Sequence, residues 1–333
     1  MGLSRSRKGV VLSLIALLIA VFFTIIFATD LNAPLDQKND LVRSRISIMN
    51  SFTESFFSYA EETISVSGYL ALRGMLIDQG LTHEYFDSSL PPSDNSSLEH
   101  QLVYCMKYGN LTNSKPCPGM STPEKNMTLT VFLQNLSSMA YDYFKMEANF
   151  TINSITITQT KPFMVDVTVN LSLRLSDEFA NISDTRMLAV PISIEGLPDA
   201  LYSINGTYNQ TIRKTNITKL SGWNAEDLRQ LYDLHEYRNY PSAPSFIGRM
   251  KANFSASDYG IESFINNTDP GVTAYPYRTN DTTVDYQFWQ SISFNCSDVK
   301  NLSSSLMPHR FQLHYDYVVN FGITNNSLYT ASC

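Results

Sequence analysis

Cysteines, histidines, one pair of carboxylates and a long series of asparagines are the residues of this chain whose types and spacing could do chemistry. Cys105, Cys117, Cys296 and Cys333 could hold zinc or form disulfides. Zinc is poorly supported: there is no C-x-x-C, and His309 and His314, five apart, would point to opposite faces of a strand. An even number of cysteines suits an oxidising compartment. Cys105 and Cys117 flank MKYGNLTNSKP, whose Gly, Asn and Pro suit a tight surface loop. Closing it would stabilise the fold by about 3 kcal/mol in the chain-entropy model. By elimination Cys296 would then pair with Cys333, although sequence alone allows three connectivities.

Catalytic constellations are thin. His83, His100, His235, His309 and His314 are scattered and read as surface or interface residues. Asp142 and Glu147 could be drawn as a carboxylate pair, but the pattern puts both on the polar face of one helix. No G-x-S-x-G, H-E-x-x-H, Walker loop or G-x-G-x-x-G occurs. Neither an enzyme, a metal nor a cofactor is expected. A net charge of −7, with no Lys/Arg run beyond the N-terminus, argues against nucleic acid as a partner.

The asparagines carry a stronger signal. N-x-[ST] sequons occur at Asn95, Asn110, Asn126, Asn135, Asn149, Asn170, Asn181, Asn205, Asn209, Asn216, Asn253, Asn266, Asn280, Asn295, Asn301 and Asn325. Random pairing of the asparagines with a Ser+Thr content of about a fifth would give only about 5. None precedes Asn95, so the excess marks the later part of the chain as an N-glycosylated surface. The competing reading is a Ser/Thr/Asn-rich β surface with incidental sequons.

An apolar stretch explains that asymmetry. Val10 to Ala28 contains no charge, and about 20 apolar residues span a hydrocarbon core of about 30 Å. A secretory h-region is shorter, about 7–15 residues, and ends at small residues; here Phe27-Ala28-Thr29-Asp30 follows. Retention as a transmembrane helix is the expectation. Arg5, Arg7 and Lys8 precede it and Asp30, Asp36 and Asp40 follow, so the positive-inside rule puts the N-terminus in the cytoplasm and the rest outside.

Elements must then position what lies outside. From Asp36 to Gln79 apolar residues recur at three- and four-residue steps (Leu41, Ile48, Met49, Phe52, Phe56, Ala60, Ile64), predicting one long amphipathic helix ended by Gly80. Pro34 should kink or interrupt the join to the membrane span. NFTINSITITQT and KPFMVDVTVNLSLRL alternate apolar with polar and predict an antiparallel hairpin turning at Lys161-Pro162. A glycan on Asn149 or Asn170 would need one face of that sheet exposed. The other face would be covered by the long helix or by the helix in TLTVFLQNLSSMAYDYFKMEAN. MLAVPISIEG, DYQFWQSISFNC and FQLHYDYVVNFGI read as further strands. WNAEDLRQLYDLHEY reads as a short helix capped by Asn224 with Asp227. The fold class is α+β: residues 1–9 cytoplasmic, 10–29 transmembrane, 30–80 amphipathic helix, and 81–333 an antiparallel β-rich extracellular head.

Tyr232, Tyr237, Tyr240, Tyr275, Tyr277, Tyr286, Phe288 and Trp289 crowd one third of the chain. They are expected to form the core of the head, the alternative being a platform for a glycan or protein ligand.

Lys8-Gly9 before an apolar helix that continues as an amphipathic one onto a β-rich head resembles type IV pilins and pseudopilins. The resemblance implies cleavage between Gly9 and Val10 by prepilin peptidase. RISIMNSFTESF, ISVSGYLALRGM, VPISIEGLPDALYSIN, APSFIGRM and YGIESFIN are also similar to an uncharacterised group of archaeal membrane-anchored surface proteins. Together they imply a non-catalytic structural or assembly component of an archaeal surface appendage or secretion apparatus. Its partners would be membrane lipid and like subunits. Major pilins carry a glutamate where Leu14 stands, which leaves open a single-pass adhesin or receptor with a glycosylated binding head.

Overall fold

The computed structural model describes residue 18 and residues 36–122, 125–205, 210–219, 222–266, 269, 281–290, 299–302, 310–323 and 329–330. The residues carrying the expected transmembrane helix and the Gly9-Val10 bond lie outside this set, apart from Leu18. Among the described residues no helix is long and apolar enough to cross a membrane. The fold is α+β, built on antiparallel sheets.

Helix α1 (Asp36–Thr82, 47 residues) is about 70 Å long at about 1.5 Å per residue. Its apolar stripe produces the predicted burial: Met49, Phe56, Ala60, Ile64, Leu72 and Met75 are all buried. The hydroxyls of Thr53, Thr63 and Ser67 bond back to carbonyls of the preceding turn, so these three buried groups need no outside partner. The helix does not stop at Gly80. It runs to Thr82, and His83 (φ 58°) takes the left-handed position that follows a helix end. Gly80 faces Ser203, with 3.5 Å between the Ser203 Cβ and the place where a Cβ on Gly80 would stand, an ordinary contact distance.

Helix α2 (Leu98–Tyr108) is closed by Gly109 at φ 75° and leads into the loop that Cys117 closes. A two-residue hairpin, β1 (Ser121–Thr122) with β2 (Lys125–Asn126), precedes helix α3 (Leu129–Phe144). Thr128 caps α3, and Lys145 in the left-handed region ends it. Three strands follow as a meander: β3 (Glu147–Lys161), β4 (Met164–Ser176) and β5 (Asn181–Ser193). The expected hairpin is β3–β4, turning at Pro162 and Phe163. β5 forms the other edge, where Pro191, which lacks an N–H, is tolerated.

Alternation on β4 decides how the meander packs. Val165, Val167, Val169, Leu171, Leu173 and Leu175 are buried on the face turned to the helices, with α1 lying over β4 and β5 and α3 over β3. The opposite face is polar: Asn153 donates to Asn170 (3.0 Å) and Ser172 (2.8 Å), and Ser172 bonds Thr185. α1 and β5 climb together. Glu54 meets Arg186 and Gly68 lies against Ile192. The interval is about 21 Å on the helix at about 1.5 Å per residue and about 20 Å on the strand at about 3.3 Å.

The C-terminal lobe sits beyond the upper end of α1. It contains α4 (Ala200–Ile204), α5 (Ala225–Asp233), β6 (Arg238–Asn239), α6 (Phe246–Met250) and β7 (Ile261–Glu262). After these come β8 (Phe264–Asn266), β9 (Asp281–Val284), α7 (Asp285–Trp289), β10 (Val299–Leu302), β11 (Arg310–His314), α8 (Tyr315–Asn320) and β12 (Tyr329–Thr330). One sheet has the order β12-β10-β11-β9-β8, with β11 and β9 parallel. α5 carries the predicted capping box of Asn224 and Asp227. Two expected strands are corrected. The DYQFW segment is helical because Asp285 opens α7 and turns to a buried arginine. FQLHYDYVVNFGI is a strand only to His314, whose side chain accepts from Asp316 N and starts α8.

Candidate functional site

The densest chemistry lies in the lobe. Asp199 caps α4, accepting from Leu201 N at 3.0 Å. Its carboxylate also receives Arg249 Nη2 at 2.7 Å and Tyr237 Oη at 2.8 Å. Arg249 projects from α6, itself capped by Ser245. The same guanidinium bonds Asp285 and the carbonyl of Ile261. Asp199, Arg249 and Asp285 are fully buried. A second pair adjoins them: Arg238 Nε donates to Glu262 at 2.6 Å, and Glu262 accepts from Tyr317 Oη, which also bonds Tyr286. The Arg238 guanidinium stacks 3.7 Å from the Phe321 ring centroid.

Burial drives the electrostatics. Loss of water raises Asp285 to about 7, against the pull of Arg249. It also raises Glu262 despite Arg238. Tyr237, Tyr286 and Tyr317 are all pushed up, first by burial and then by neighbouring carboxylates. Burial opposes the charge on Arg249, yet Asp199 and Asp285 hold it protonated well above its ordinary value. Three carboxylates face two guanidinium groups, so full ionisation would leave an uncompensated negative charge in a dry interior. The arrangement can lock elements together and retain a proton. Its central members, Asp199, Arg249 and Asp285, are sealed from solvent.

Three of the stretches behind the archaeal resemblance converge here: Asp199 lies in VPISIEGLPDALYSIN, Arg249 in APSFIGRM and Glu262 in YGIESFIN. None of the three was singled out by spacing. The available signal was a charged residue embedded in each apolar run.

The predicted sites fare variously. Cys105 and Cys117 form a disulfide, Cα–Cα 5.7 Å, packed so closely on α1 that a Cβ on Gly74 would meet Cys117 Sγ at 2.9 Å. Cys296 and Cys333 lie outside the described residues. Asp142 and Glu147 do not share a helix, because α3 ends at Phe144 and Glu147 starts β3. His83 Nδ1 lies 2.7 Å from Ile204 O, and His100 stacks on Tyr104. His309 falls outside the described residues, among which no group of His, Cys, Asp or Glu is placed to hold a metal.

Of the sequon asparagines, Asn95, Asn135, Asn149, Asn181, Asn205, Asn216 and Asn253 are exposed, and Asn110 and Asn170 are half-buried. Asn126 and Asn301 lie in β2 and β10. Asn209, Asn280, Asn295 and Asn325 are outside the described residues. Asn266 is fully buried on β8 and donates to Thr282. In the aromatic cluster, Tyr232, Tyr237, Tyr286 and Phe288 are core residues, whereas Tyr275 and Tyr277 are not described. Compared with known proteins, the chain matches no family model, no curated protein and no solved structure.

Proposed function

We propose that this protein is a non-catalytic, pilin-like structural or assembly component of a cell-surface apparatus, anchored by residues 10–29 with its head outside. One observation carries the reading. A single long helix opens at Asp36, eight positions past the apolar stretch, and lies along an antiparallel meander. A helix leading out of a membrane and doubling as the spine of a head is the layout such subunits need. The exposed sequons and the disulfide suit an oxidising exterior.

The test is the N-terminal sequence of mature protein taken from membranes and from sheared surface material, together with the Gly9→Leu variant. Processing at Val10, with the variant retained in membranes and lost from sheared material, is the expected result. An unprocessed wild type unaffected by Gly9→Leu would leave a free-standing anchored receptor or adhesin instead.

A further inference from the structure

The lower end of the head, where α1 enters, collects exposed aromatic residues from two separate elements. Arg45 of α1 donates to Phe144 O and Phe52 packs on the Phe144 ring. The end of α3 is thereby pinned beside the first turns of α1. Tyr141 and Tyr143 lie there, 57% and 64% exposed, with Lys145 Nζ 5.2 Å from the centre of the Tyr141 ring. The turn from β4 to β5 is at the same end, because β5 rises beside α1 from Asn181 upward. Asp177 folds this turn by accepting from Phe179 N and Ala180 N. Phe179, at its tip, is 44% exposed. An exposed apolar ring on an ordered turn thus lies at the same end of the head as two exposed tyrosines.

We propose that this end of the head docks on the surface of the lipid bilayer, with Tyr141, Tyr143 and Phe179 entering the headgroup layer. The proposal rests on the anchored reading above. The chain itself supplies the occupant. Leu41 follows Ala28 by only thirteen positions, a tether of at most about 45 Å even fully extended, and the polar layer of a bilayer covers about 5–7 Å of that. A tether that short keeps the lower end of the head close to the bilayer surface. Tyrosines with an apolar body and a polar tip favour that layer. Asp142, Glu147, Asp177 and Glu178 outnumber Lys145 and Arg174 around the patch. The attraction is therefore aromatic, and the surface it fits is a zwitterionic one.

The test uses the full chain in phosphatidylcholine vesicles whose acyl chains are brominated near the headgroup. Tyr143→Trp and, in case that variant fails to fold, Phe179→Trp are each compared with wild type. Tyr108→Trp serves as the control. Its site is exposed too, but it adjoins Gly109, which bonds Cys117 N where Cys117 packs on Gly74, about 40 Å further up α1. Emission gained at 143 or 179 should fall about twofold or more in brominated lipid, with that gained at 108 unchanged. Unquenched emission from protein that floats with the vesicles overturns the proposal. A blue shift without quenching, growing with the protein-to-lipid ratio, also overturns it, in favour of a second copy covering the patch. Failure to float at all would remove the anchored reading itself.

Discussion

The two halves of the head are held together by different physics. In the lower body, α1, α3 and the meander share an apolar interior, and no described buried residue before Asp199 is charged. In the upper lobe, Asp199, Arg238, Arg249, Glu262 and Asp285 are all buried. Apolar contacts are non-directional and tolerate repacking, so the lower body is specified by which residues face inward. A buried guanidinium tolerates only a few positions of its partners, so the lobe is specified by where a handful of atoms lie.

The sharpest way to break this contrast is Arg249→Leu. Two carboxylates would be left buried without a cation, and a loss of about 3–5 kcal/mol is expected. In hydrogen exchange the amides of α4, α6 and α7 should open while β4 keeps its protection. Equal loss across both halves would show that the halves fold as one unit.

Leu171→Ala is the matching test below. Removing a fully buried aliphatic side chain should cost about 2–4 kcal/mol in denaturant unfolding, with a slope against pH like that of wild type.

That slope is the third expectation. Asp285 holds its proton up to about pH 7 in the native state, whereas an unfolded aspartate releases it near 3.9. Between these values the native state binds more protons, so stability falls as pH rises and levels off above about 7. A loss on the order of 2 kcal/mol between pH 5 and pH 8 is expected from this group. Asp285→Asn should flatten the slope, and an unchanged slope would place the proton elsewhere.

The smallest effect is local. Asn224→Ala removes one side of the α5 capping box and should cost about 1 kcal/mol, read as a small shift in the unfolding midpoint.

The sequence discloses these halves unequally, for the same physical reason. The three- and four-residue steps from Met49 to Ile64 and the alternation from Val165 to Leu175 express a buried face in the residues themselves. α1, the β3–β4 hairpin and the Cys105–Cys117 loop were therefore legible. The Asp199–Arg249 contact joins residues fifty positions apart, and nothing local announces it. Local signals also misled where tertiary contacts overrode them. Gly80 looked like a helix stop, but α1 runs through it to Thr82. The DYQFW run looked like a strand but is drawn into a helix that carries Asp285 to Arg249.

The parallel climb of α1 and the meander has a mechanical consequence. A pull transmitted from the lower end of α1 runs along the strands. Inter-strand hydrogen bonds lie across that direction, so the thirteen residue pairs between β4 and β5 would be loaded together in shear and could not be unzipped one by one. The same helix reaches the lobe, where Gln79 donates to Met250 O and His83 meets Ile204 O. Whatever tension passes the meander would therefore be handed to the α4–α6 junction, so the apolar body bears the load before the ion-paired lobe does.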